Sequence, residues 1–216
     1  MTERDALREE LVKLARQMLG LGLVTGTAGN LSGRRSGEGV ILVTPSGVDY
    51  ETMRPEDLVA VDLDGKPAGN GLKPSVDTMN HVAIYRARPD VGAVLHTHSP
   101  YAAAFSTLHR EIPPLITEAA GYLGGAVRVM EYVPPATPEQ ASRVAAGLGE
   151  DRAVLLPNHG VMAVGENPRK AFHAAVSVEE SARVAFIAMQ LGKPALVSDS
   201  EVQRMNDFIH RRYGQR

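Results

Sequence analysis

The chain has 216 residues, 22% of them charged, a formal net charge of -2 and no cysteine. That length suits one domain with a sizeable core, and the near balance of charge excludes a basic face for nucleic acid or for an anionic membrane surface. Without cysteine there are no disulfides, thiolate ligands or cysteine nucleophile, so any metal must rely on His, Asp and Glu.

Thr2-Glu-Arg-Asp5 has capping-box logic and opens an amphipathic helix with Leu7, Leu11, Leu14 and Met18 on one face, ended by Gly20 and Gly22. A glycine-rich turn follows at Gly26-Thr-Ala-Gly-Asn30, then short strands around Val40–Val43 and Leu58–Leu63, with Asp64-Gly65 as a hairpin-type turn. Pro74-Ser75 starts a helix predicted to run to about Arg88. The apolar run Val91-Gly-Ala-Val-Leu95 is a strand, and Ser99-Pro100 after it is an N-cap followed by an N1 proline. Thr137-Pro-Glu-Gln140 caps a helix to about Leu148, Ala153–Leu156 is a strand, Asn167-Pro168 starts a long helix to about Leu191, and Asp199–Tyr213 is a last helix. Strands and helices interleave without linkers or repeats, which predicts one layered α/β domain over residues 1–216. No apolar stretch reaches the roughly 18–20 residues of a membrane span, and the first seven residues lack the apolar centre of a signal peptide. A cytoplasmic protein is the expectation.

His96-Thr-His98 ends the strand after Val91, and a third histidine stands in Pro157-Asn-His-Gly160 after the strand Ala153–Leu156. Residues i and i+2 of an extended strand point to one face, so one strand can deliver two imidazoles to one ion. A third imidazole from elsewhere leaves a coordination position open, the pattern of a catalytic rather than a structural zinc. Three imidazoles also suit other divalent transition metals. His81 reads as a packing or surface residue of its helix, His109, His173 and His210 as exposed, and Met79, Met162 and Met189 as core fillers.

Three segments have the makings of an anion site. Gly26–Asn30, with Ser32 beyond it, offers backbone N–H groups in a spacing that is neither a Walker A sequence nor GxGxxG. Thr44-Pro-Ser-Gly-Val48 adds a hydroxyl and flexible backbone, and Lys73-Pro-Ser75 places Ser75 at an expected helix start. Beside a zinc, these point to a phosphorylated, oxygen-rich small molecule. Asp77, in the first turn after Ser75, either complements the helix dipole or serves as a general base or extra ligand.

Taken in order, Gly26-Thr-Ala-Gly-Asn30-Leu-Ser32, Thr44-Pro-Ser-Gly47, Lys73-Pro-Ser75, His96-Thr-His98 and Asn158-His-Gly160 resemble the class II aldolase/adducin-like family over nearly the whole chain. The resemblance implies a three-layer α/β/α domain with a mainly antiparallel central sheet, assembled as a homotetramer with active sites between subunits. It implies zinc on His96, His98 and His159, and substrate phosphate on Gly29, Asn30, Ser46, Gly47 and Ser75. Tyr213 occupies the position of a C-terminal tyrosine that reaches a neighbouring subunit's site.

The departures bear on the reaction. Asp77 stands where the family's aldolase has a glutamate for proton transfer and its 4-epimerase an aspartate. Val76 replaces a second serine. The aldolase's mid-chain tyrosine aligns with Thr117, with Glu118 and Tyr122 nearby, and the epimerase's second catalytic aspartate aligns with Gly121. The resemblance therefore implies a zinc-dependent aldolase that cleaves an L-fuculose-1-phosphate-like ketose 1-phosphate to dihydroxyacetone phosphate and an aldehyde, with Asp77 and Tyr213 catalytic. The alternatives are a ketose 5-phosphate 4-epimerase or a sugar-acid phosphate decarboxylase of the same family. An amidohydrolase, which also uses HxH but on a longer barrel, and a non-enzymatic adducin-like module stand further off.

Overall fold

The computed structural model describes residues 3–35, 37–69, 71–135 and 137–212. Seven strands form one sheet in the order β4-β3-β2-β1-β5-β7-β6, every neighbouring pair antiparallel. They are β1 (Asn30–Gly33), β2 (Val40–Val43), β3 (Val59–Asp62), β4 (Pro67–Ala68), β5 (Ala93–Thr97), β6 (Ala153–Leu156) and β7 (Gly160–Gly165). Side chains alternate across the pleat, so the central strands feed two cores. Ala93 and Leu95 of β5 face one, with helices α1 (Glu3–Gly20), α3 (Pro100–Thr107), α4 (Thr117–Leu123) and α6 (Pro168–Leu191). Val94 faces the other, with α2 (Thr78–Ala87) and α5 (Pro138–Leu148). This is the expected α/β/α sandwich on a mainly antiparallel sheet. The amphipathic α7 (Asp199–Arg211) packs on α4.

The helix signals correspond to real ends. Asn167 caps α6 and Thr137 caps α5 by accepting the N–H three residues on, at 3.0 and 3.2 Å. α1 closes in a Schellman motif: Gly22, at φ +69°, donates its N–H to the Leu19 carbonyl while Leu23 donates to Met18. Ser99 precedes the N1 proline of α3, but the first free N–H groups there donate to the Glu179 carboxylate of α6, at 3.0 and 2.9 Å.

Four elements escape the periodicity argument. β1 is polar and β4 has only two residues; β7 carries four apolar residues between glycines, and α4 has seven residues with a glycine inside. The expected start of α2 at Pro74-Ser75 is corrected: the helix begins at Thr78. Residues 73–75 are held extended by the segment after β2, since Ser46 donates to the Lys73 carbonyl at 2.9 Å and Ser75 to the Thr44 carbonyl at 3.1 Å. Met79 is 44% exposed rather than core, its sulfur covering the Asp64-Gly65 turn. Among the described residues no helix is long and apolar enough to cross a membrane.

Candidate active site and metal centre

The antiparallel order brings the start of β1, the end of β2, the end of β5 and the β6–β7 turn to one end of the sheet. Asn30 pairs with His96 across β1 and β5, and His96 pairs with Met162 across β5 and β7. The β6–β7 turn has the signature of a type II turn: Pro157 at its second position, Asn158 at φ +56° in its third, and the His159 N–H donating to the Leu156 carbonyl at 3.1 Å. His159 is thereby turned back over the end of β5. Gly160 permits this approach, since a Cβ there would lie 2.2 Å from the Thr97 carbonyl oxygen.

His96, His98 and His159 form a triangle with ring centroids 4.7, 4.6 and 4.9 Å apart. The His96 Nε2 is 2.8 Å from that of His98 and 3.2 Å from that of His159. Ligand nitrogens at ~2.0–2.1 Å from a tetrahedral ion stand roughly 3.3 Å apart, so this spacing fits one small cation. The tautomer fits as well. His96 Nδ1–H donates to the Val161 carbonyl at 2.9 Å, which leaves the lone pair on Nε2, toward the other two rings. Burial pushes His96 and His98 below the ordinary histidine range, which keeps both imidazoles neutral and able to bind a metal. The donor set of three nitrogens is one that divalent transition ions accept.

Above the triangle opens a cleft of about 230 Å³ lined by Gly29, Asn30, Ser46, Gly47, Ser75, Asp77, His98 and His159, with Thr27, Ala28, Pro45, Val76 and Pro135 completing it. His96 is fully buried beneath. Nine of the ten residues singled out from the sequence thus converge; Tyr213 lies outside the described residues. Gly29 sits at φ +69° against the His96 carbonyl oxygen, and its own carbonyl accepts the Tyr50 hydroxyl at 2.7 Å. Gly47, at φ +70°, has open space where a side chain would stand. Among the described residues lining the cleft there is no lysine or arginine, so an anion would meet N–H groups and serine hydroxyls.

Asp77 Oδ2 accepts from the Asn30 amide at 2.9 Å and lies 3.8 Å from His96 Nε2. Burial opposes its ionisation, while the hydrogen bond from the Asn30 amide favours the carboxylate.

Thr117, Glu118 and Tyr122 do not line this cleft. Tyr122 donates its hydroxyl to the Lys170 carbonyl at 2.8 Å and makes tilted ring contacts with His173 and His210. Gly121 has no room for a side chain, since a Cβ would stand 2.4 Å from that of Met205. The residue the sequence reading undervalued is His81, fully buried and hydrogen-bonded to Asn30 Oδ1 at 2.6 Å. Its spacing of four from Asp77 on α2 was the available signal.

Residues 9–186 match the family described as the class II aldolase and adducin N-terminal domain. The chain is 39% identical over 202 residues to a 5-methylthioribulose-1-phosphate/5-deoxyribulose-1-phosphate aldolase of Rhodospirillum rubrum, covering 94% of this chain and 90% of that one. It is 36% identical over 204 residues to an L-ribulose-5-phosphate 4-epimerase of Salmonella paratyphi C, covering 89% of each. A solved L-fuculose 1-phosphate aldolase superposes with a TM-score of 0.91 at 30% identity over 97% of this chain and 98% of that one. Matched by that family's model over residues 9–186 and by a solved aldolase across nearly the whole fold, the chain belongs to the class II aldolase family of enzymes.

Proposed function

We propose that this enzyme is a metal-dependent aldolase that cleaves a ketose 1-phosphate to dihydroxyacetone phosphate and an aldehyde. The observation that carries this reading is the meeting, at one cleft, of three converging imidazoles, the Asp77 carboxyl and an anion cradle lined by no lysine or arginine among the described residues. His96, His98 and His159 would hold a zinc or similar divalent ion, which when bound supplies Lewis-acid polarisation of the substrate's carbonyl. Gly29, Asn30, Ser46, Gly47 and Ser75 would bind the phosphate through N–H groups and hydroxyls, fixing the C1 end of the sugar. When the C3–C4 bond breaks, its electron pair stays on C3, and Asp77 moves the proton at that carbon. In the synthetic direction the Asp77 carboxylate removes it. The proton of the C4 hydroxyl falls to Tyr213 of a neighbouring subunit in the homotetramer that the reading assumes.

The 4-epimerase remains the second reading, because Lys73-Pro-Ser-Val-Asp-Thr78 carries the aspartate expected of it and a curated relative bears that name. It needs a second acid or base at position 121, where Gly121 supplies none and Met205 blocks any replacement. The test sets the two side by side: release of dihydroxyacetone phosphate from L-fuculose 1-phosphate, 5-deoxyribulose 1-phosphate and ribulose 1-phosphate, against interconversion of pentulose 5-phosphates epimeric at C4. Release from at least one ketose 1-phosphate is the expected result. Interconversion without release would replace the aldolase reading with the epimerase.

A further inference from the structure

A chain of five buried polar side chains joins β1 to α2 and ends at Asp77. Asn30 and Ser32 lie two apart on the strand and face one way, while Asp77, His81 and Tyr85 lie four apart and form one stripe at the start of and along the helix. All but Asp77 are at most 3% exposed. The polarity of the whole chain follows from its acceptor end. A carboxylate only accepts, so the amide group facing Asp77 Oδ2 at 2.9 Å is the Asn30 nitrogen. The Asn30 oxygen then faces His81 Nε2 at 2.6 Å, and that nitrogen must carry the proton. Burial keeps His81 neutral, so its Nδ1 is an acceptor and takes the Ser32 hydroxyl proton at 2.7 Å. Ser32 in turn accepts the Tyr85 hydroxyl at 2.9 Å. Each of the four links has one donor and one acceptor, and all point toward Asp77.

We propose that His81 is a positioning residue of the active site: by donating to Asn30 Oδ1 it dictates which end of the Asn30 amide meets Asp77. The second Asn30 N–H remains for the cleft that this residue lines. Rotating the amide by half a turn would set its oxygen against the carboxylate and its nitrogen against the imidazole N–H, so the His81 proton excludes that arrangement. His81 touches neither the cleft nor the three converging imidazole nitrogens; it acts through Asn30, and its influence on turnover rests on the aldolase reading above.

Three proteins test this: wild type, His81→Leu and His81→Gln, the last able to place an amide N–H near the imidazole Nε2. Steady-state kinetics on the cleaved ketose 1-phosphate are read together with solvent exchange of the Asn30 side-chain amide protons by NMR. The expected result is a kcat at least tenfold lower in His81→Leu, largely restored in His81→Gln, out of the ~10²–10⁴ that a positioned acid–base group contributes. One Asn30 amide proton should exchange slowly in wild type and His81→Gln and lose that protection in His81→Leu. A His81→Leu enzyme with wild-type kcat and a protected amide proton would overturn the proposal, as would equal loss of kcat in both variants. If wild type cleaves no ketose 1-phosphate, the aldolase reading falls and the exchange measurement alone decides the role of His81.

Discussion

Replacing Gly29 by alanine should damage the fold and the metal centre together. Gly29 sits at φ +69°, where an L-residue costs about 1–2 kcal/mol. The added Cβ would stand 2.5 Å from a Val24 methyl and 2.6 Å from the His96 carbonyl oxygen. A methyl side chain can rotate away; the His96 carbonyl cannot move without dragging β5, so overpacking adds about 1–3 kcal/mol. The sum is about 2–5 kcal/mol, or roughly 4–20 °C in Tm for a chain of this size. Gly26→Ala is the control. It has a similar φ of +59° and nothing within 4 Å of the new Cβ, so only the backbone contribution of about 1–2 kcal/mol remains. Thermal melts of the two variants isolate the contact with His96, and titration with zinc reads its effect on the histidine triangle. Gly29→Ala should melt lower and bind zinc more weakly than Gly26→Ala. Equal melting temperatures and equal zinc affinity would refute the argument that Gly29 is required by its closeness to His96.

Asp77→Asn should lower kcat by about 10²–10⁴-fold with KM little changed and zinc retained, because the isostere keeps the Asn30 contact but cannot accept a proton; steady-state kinetics with metal analysis checks this. Zinc at ~100 times its Kd should stabilise wild type by about 2.7 kcal/mol, roughly 5–11 °C in Tm, and His159→Ala should abolish most of that shift. Away from the cleft, Glu166 is bonded by Arg152 at 2.8 and 3.2 Å, which holds its carboxyl down at about 2. A depressed folded pKa gives stability that is present above the unfolded value of about 4.5 and lost as pH falls toward about 2. With the carboxylate side chain 41% exposed, the pair contributes no more than about 1 kcal/mol. Chemical denaturation of wild type and Glu166→Gln should therefore show a gap at pH 6 that narrows below about 4.5 and closes only near pH 2.

Much of this is legible in the amino-acid sequence. Capping residues marked α5 and α6, and Gly22 the end of α1, because these signals are local and each satisfies a specific backbone group. The histidine triangle was legible because its spacing is chemical: two on one strand, a third after a tight turn. β1 was not, since Asn30-Leu-Ser-Gly33 carries polar side chains into a buried layer and so lacks apolar alternation. Those polar side chains, Asn30 and Ser32, are the strand's share of the hydrogen-bonded chain that ends at Asp77. The start of α2 was misplaced for a related reason: Pro74-Ser75 looks like a helix opening until a distant segment, Thr44–Ser46, claims its hydrogen bonds. The convergence of Asn30, Asp77 and His81 depends on strand pairing and could not be derived from any one segment.

The most direct test of the central claim needs no knowledge of the aldehyde. Dihydroxyacetone phosphate is incubated in D2O with zinc-loaded wild type, chelator-treated wild type and zinc-loaded Asp77→Asn, and deuterium incorporation at the hydroxymethyl carbon is followed by NMR. The account predicts one deuterium introduced by the zinc-loaded wild type, with the rate collapsing in the other two samples. No exchange by zinc-loaded wild type, or wild-type exchange by Asp77→Asn, would contradict it.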